Sequence, residues 1–498
     1  VNVETHRPAS ARLRTALLAL ALFAGALLLY RVSWRETFFD DGPWLAAAVG
    51  RDDGTLWYHV LVVPLARAVR DAIGATNGVV PLQIVSSVAG AITVVAIFAL
   101  ARWWGLAPRA AGVLAALFAV SPALWYQASL VELHALHAAA VSLATVVVVH
   151  VPWQRRGAAA FATCVAACAI AAAVAVLAHR TSAVLGLGWL VLSAIASRRA
   201  GVVRPLAQWV FVVGPVYLAA VASAYRYGQV LFGAPSDGSA TQRPLDVFED
   251  HFGATDRLTT LVVDWLLHWP AIVVLAAVGV VAAHERRREI AALVVSGVLP
   301  LLVLFTAMSV PSRGGYALST TPFVALAAAA GLAVVARRLR PLRVVSFVGA
   351  ALVVHVAIGA AFVFDAEERA EGALGVARAR EVAELLPSGG TLLACDASEQ
   401  LVCARLPQIR ELPLTRAMPR VGDAERQMEI LRPMLLAVVA AEPGRVVWDR
   451  IWRTTLPEES TIDERFLIPI EALLREACAI TERTFGDREY WVLAPRAE

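Results

Sequence analysis

Four short polar stretches interrupt an otherwise apolar chain, and each carries residue types able to do chemistry. The first holds adjacent carboxylates, Asp40 and Asp41, after the aromatic pair Phe38-Phe39. Carboxylates this close repel, so one is either ionised beside a cation or held protonated, and either state suits acid/base work. Farther along the same connection lie Asp52, Asp53 and His59. The second stretch brings Glu132, His134 and His137 to a helix–helix turn near membrane depth, where an ionisable side chain is costly and points to function. Two histidines three residues apart, with no third ligand in the sequence pattern, do not define a metal site. The metal is therefore unassigned, and a divalent cation is left open as a cofactor. The third is His179-Arg180-Thr181, and the fourth is Pro311-Ser-Arg-Gly-Gly-Tyr316, where Arg313 stands beside flexible glycine backbone. A guanidinium there suits a phosphate or pyrophosphate. Taken singly, the acidic pair also fits a solvated loop, and the histidine turn also fits an interfacial polar cap.

The elements that position these stretches follow from composition. Of 498 residues, 59% are hydrophobic and 17% charged, below the roughly 25% charged residues of a soluble domain. The sequence predicts a polytopic α-helical membrane protein. Apolar runs of spanning length, roughly 17 to 25 residues, fall near 13–30, 79–101, 110–130, 133–153, 157–178, 181–197, 206–224, 260–283, 290–310, 316–336 and 343–364, giving about eleven transmembrane helices. The first follows Arg7, Arg12 and Arg14 without a small-residue cleavage site and reads as an uncleaved helix.

All 44 basic residues are arginine. They cluster in alternate connections, at Arg102 and Arg109, Arg155 and Arg156, Arg198 to Arg204, Arg286 to Arg288, and Arg337 to Arg343. That distribution is a topology signal rather than a nucleic-acid surface, and it places those connections and the N-terminus in the cytoplasm. The acid-rich connections 31–78 and 225–260 then lie outside, on the same face as all four polar stretches. Abundant Ala, Val and Arg without Lys suggests a GC-rich bacterial source.

Hydropathy falls after Phe364. Residues 1–364 are expected to form the membrane module. Residues 365–498 are expected to form a small extracytoplasmic α/β domain with strand-like pieces at Thr391–Cys395, Val446–Trp448 and Tyr490–Leu493. Cys395 and Cys403 are candidates for one disulfide under oxidising conditions, and isolated thiols are the alternative.

Four segments together resemble the GT-C superfamily of membrane glycosyltransferases, and within it the DUF2723 group, TMEM260-like relatives of the protein O-mannosyltransferases. They are Phe39-Asp-Asp-Gly-Pro-Trp-Leu with His59 and Pro64; Ser121-Pro-Ala-Leu-Trp-Tyr-Gln with Glu132-Leu-His-Ala-Leu; Ala178-His-Arg-Thr-Ser; and Arg313-Gly-Gly-Tyr-Ala-Leu. The resemblance implies an inverting, mannosyltransferase-like enzyme of the bacterial inner membrane. Its partners would be a polyprenyl-phosphate-linked sugar donor, an acceptor protein, lipid or glycan, and the surrounding lipids. It implies Asp40 as base with Asp41 in reserve and Glu132 in the site. It also implies His179, Arg180, Arg313 and Tyr316 at the donor phosphate, with His59, His134 and His137 as secondary candidates. Pro43 stands where relatives carry Glu, and their His-Pro-Pro-Gly-Tyr-Pro run is reduced here to His59-Val-Leu-Val-Val-Pro64. A transporter or flippase of lipid-linked sugars is the rival. A transporter would place its ionisable groups at the midplane on broken helices. A receptor or scaffold acting through the C-terminal domain would leave the membrane acids unexplained.

Overall fold

The computed structural model describes residues 9–35, 42–51, 60–155, 157–231, 263, 265–283, 286–308, 315–394, 402, 404–413, 424–450, 464–486 and 488–496. Its contacts divide into two compact units. One comprises residues 1–35, 55–65 and 82–365, and the other residues 36–54, 66–81 and 366–498.

In the first unit, uninterrupted apolar sequence satisfies its backbone internally as helix, as a chain in lipid must. Seven helices among the described residues are long and apolar enough to cross a bilayer: Ser10–Val32, Val79–Trp104, Ala158–Ala178, Arg180–Arg199, Leu206–Ala224, Tyr316–Arg338 and Pro341–Val363. The other four expected runs are helical but not single spans of that length. The run at 110–130 is a pair, Pro108–Ala119 and Pro122–Ala128, bent by 63°. Pro122 forces Ser121 into extended backbone (ψ 138°), which ends the first helix. The run at 290–310 divides into Arg287–Gly297 and Leu299–Met308. Pro300 has no N–H to donate back to Ser296 and restarts the helix instead. His134–His150 and Pro270–Ala282 are shorter apolar helices of 17 and 13 residues.

The Tyr316–Arg338 helix is central, with 89% of its apolar window buried, whereas Pro341–Val363 is peripheral at 17%. Close backbone approach sets the centre. A Cβ on Gly331 would stand 1.8 Å from the Leu275 carbonyl oxygen, and one on Gly279 would stand 2.1 Å from that of Ala327. Small residues at such a crossing let helices pack on one another without a hydrophobic driving force.

In the second unit, five strands run in the order β2-β1-β3-β5-β4. They are β1 (Gly390–Ala394), β2 (Ile409–Pro413), β3 (Val446–Asp449), β4 (Cys478–Phe485) and β5 (Arg488–Pro495). The β1 strand is parallel to β2 and β3, while β5 is antiparallel to β3 and β4. Strand alternation sends Leu392, Val447 and Tyr490 to one face, against Ala379 and Val382 of helix Ala366–Leu385 and Leu386 just beyond it. It sends Leu393, Val446, Trp448 and Trp491 to the other, against Leu431, Leu435, Ile470 and Leu474 of two further helices. Helices therefore cover both faces. Arg378 and Asp449, both fully buried, form an ion pair in which Nε donates to Oδ2 at 2.9 Å. Burial pushes the Tyr490 phenol well up, so its hydroxyl stays protonated and donates to Glu381 at 2.7 Å. Arg51 and Gly50 also belong to this unit. The Arg51 guanidinium donates to the Ile409 carbonyl at 2.6 Å.

Candidate active site

The described part of the site is a buried histidine cluster within the first unit. Its framework starts where the first helix ends. There Tyr30 donates to the Ala119 carbonyl at 3.0 Å, Trp34 Nε1 to Ser87 at 2.7 Å, and Arg35 to the Phe362 carbonyl at 3.1 Å. Gln83 donates to the Arg35 carbonyl at 2.7 Å. These bonds hold the chain at Trp34 and Arg35.

Glu132 follows the Pro122–Ala128 helix. Ser86 donates to its carbonyl at 2.7 Å, and its own Oε1 accepts the Leu133 N–H at 2.8 Å. The side chain is 2% exposed. His134 opens the next helix and His137 lies one turn on, so both project from one face. His179 closes the Ala158–Ala178 helix in extended backbone. Its Nδ1 accepts the Thr181 N–H at 3.3 Å and lies 2.6 Å from Thr181 Oγ1. A ring that accepts at Nδ1 carries its proton on Nε2 when neutral.

These pieces converge. The His137 and His179 rings stack at 4.6 Å with 24° between planes. Tyr316 meets His134 edge-on at 4.9 Å and lies 6.2 Å from His179. His137 Nε2 is 2.6 Å from Ser182 Oγ. Gly315 makes the closure sterically possible, because a Cβ there would stand 2.4 Å from His134 Cδ2.

The structure therefore brings together His134, His137, His179 and Tyr316 from three separate polar stretches, with Glu132 two residues before His134 in the chain. Arg180 is the next residue after His179, with an exposed side chain. Asp40, Asp41, His59 and Arg313 lie outside the described residues, as do Cys395 and Cys403. Thr181, Ser182 and Ser86 were not picked out as site residues from sequence. Their signal is faint, hydroxyls in apolar runs that serve equally as helix-internal donors. Among the described residues no group of three or more His, Cys, Asp or Glu is arranged to hold a metal.

No family model matches the chain, and no curated protein matches it, so the DUF2723 placement has no family-level match. Solved structures do match. ArnT from Cupriavidus metallidurans, solved bound to undecaprenyl phosphate, aligns over 95% of this chain and 97% of its own, with TM-score 0.58 and 14% identity. Its apo structure gives the same figures. The Archaeoglobus fulgidus oligosaccharyltransferase in its apo form aligns over 88% of this chain and 70% of its own, with TM-score 0.52 and 14% identity. At that identity the likeness is one of fold, and the fold is that of the GT-C membrane glycosyltransferases.

Proposed function

We propose that the chain is an inverting glycosyltransferase that moves a sugar from a polyprenyl-phosphate donor to an acceptor hydroxyl at the outer face of the bacterial inner membrane. The observation that carries this reading is the near full-length match to ArnT, captured with undecaprenyl phosphate. Buried Glu132 and the three buried histidines support it, since a chain that only scaffolds has no use for such costly groups at depth. In the reaction the acceptor oxygen forms a bond to the sugar's anomeric carbon. The bond from that carbon to the phosphate oxygen breaks, and the polyprenyl phosphate leaves as an anion. The acceptor proton passes to Asp40. In this reading His179, Arg180, Arg313 and Tyr316 bind the donor phosphate, and Glu132 is a further catalytic candidate. Transfer of mannose is the specificity that the resemblance favours.

Arg313→Ala or Arg180→Ala should weaken use of the donor by about tenfold or more, because the phosphate loses a charge-assisted partner. Arg313→Lys should recover only part of that, since an ammonium lacks the guanidinium fork. KM for the donor, measured at equal membrane expression, tests both. Wild-type values in both alanine variants would make these arginines topological charges only.

In this reading the N-terminus is cytoplasmic and residues 365–498 are outside. A reporter active only outside the cytoplasm should then work when fused after Ala366 and fail when fused after Arg288. The reverse pattern would invert the topology.

A further inference from the structure

At the arginine-rich helix ends, away from the histidine cluster in sequence, the first unit has an open cavity of about 290 Å³ lined by Trp104, Ala283, Arg286, Ala330, Ala333 and Arg337. We propose that it binds the phosphate headgroup of an anionic membrane phospholipid. Arg286 is held at the rim, where Nη1 donates to the Trp104 carbonyl at 2.7 Å and the guanidinium lies 5.3 Å from that indole. Arg337 donates from Nε to the Ala333 carbonyl at 3.3 Å.

Neighbouring Arg199 behaves differently. It stacks at 4.0 Å on Trp104 and is neutralised by Glu289 at 2.6 Å. Among the described residues neither Arg286 nor Arg337 has a carboxylate at salt-bridge distance. Two backbone-tethered cations thus face one cavity, and their forks match phosphate oxygens. Three alanines leave the space open, where longer side chains would fill it.

Lipid is the favoured source of the phosphate because the surroundings are apolar. Val274 and Val281, on the Pro270–Ala282 helix that Ala283 caps, are 49% and 67% exposed, a surface for acyl chains. Trp104 has the amphipathic character favoured at headgroup depth. Basic pockets between helix ends take headgroups in this way.

The test uses the full chain purified in neutral detergent, with phosphatidylglycerol, phosphatidylcholine and inorganic phosphate as probes. Readouts are retained lipid by native mass spectrometry and the thermal midpoint. Phosphatidylglycerol should be retained and raise the midpoint, while the other two at equal concentration should not. Arg337→Gln, an exposed position, and Ala333→Leu, which fills the cavity and keeps both charges, should each weaken retention about tenfold. Unchanged retention in both variants would overturn the proposal, as would equal retention of phosphatidylcholine. Equal stabilisation by inorganic phosphate would overturn the lipid assignment in favour of a soluble anion. None of these outcomes depends on transferase activity.

Discussion

Asp40→Asn should lower turnover by roughly 10²- to 10⁴-fold while leaving donor binding largely intact. Phosphate departs as an anion and needs little acid help, whereas the acceptor hydroxyl must lose its proton as it attacks. One carboxylate is then sufficient. In the proposed mechanism Asp40 is that carboxylate, and Asp41, next in sequence, is the reserve candidate. Asparagine keeps the size and polarity of the side chain but cannot take the proton. Initial rates at matched expression and membrane insertion, set beside donor binding, measure the effect. Near-normal turnover would remove Asp40 from the mechanism and move the role to Asp41, Asp52 or Glu132. In the proposed direct attack the product linkage should be inverted and no glycosyl-enzyme should accumulate.

The second large effect is on stability. Asp449→Ala should destabilise the second unit by about 3–5 kcal/mol, because the Arg378 guanidinium would remain buried without its carboxylate. Removing both partners, as in Arg378→Met with Asp449→Leu, should cost far less and could be neutral, since the desolvation penalty disappears with the charges. Hydrogen exchange of the β3 and β5 amides, in the core around Trp448 and Trp491, reads the unit directly. A double variant as unstable as the single would show that the pair itself, rather than the orphaned charge, supplies the stability.

The helices were legible because their signal is local. All eleven apolar runs carry helix in the described residues, and proline decided what hydropathy could not. Pro122 bends one run and Pro300 divides another. In the sheet, β1, β3 and β5 show as apolar runs because helices cover both faces. The edge strands did not show. Ile-Arg-Glu-Leu-Pro in β2 and Cys-Ala-Ile-Thr-Glu-Arg-Thr-Phe in β4 are too polar to mark themselves. Within the site, sequence exposed each polar segment but not its geometry. The stack of His137 on His179 and the contact of Ser182 with His137 join residues 42 and 45 positions apart, a separation no local pattern encodes.

The central claim is most directly tested by incubating membranes containing the chain with a panel of radiolabelled polyprenyl-phosphate sugars and following the label. Transferase chemistry predicts that label from one donor leaves the lipid and appears covalently on protein, lipid acceptor or glycan, and that Asp40→Asn membranes fail to transfer it. Label that remains on its polyprenyl phosphate and only changes leaflet would contradict the account and make the chain a flippase.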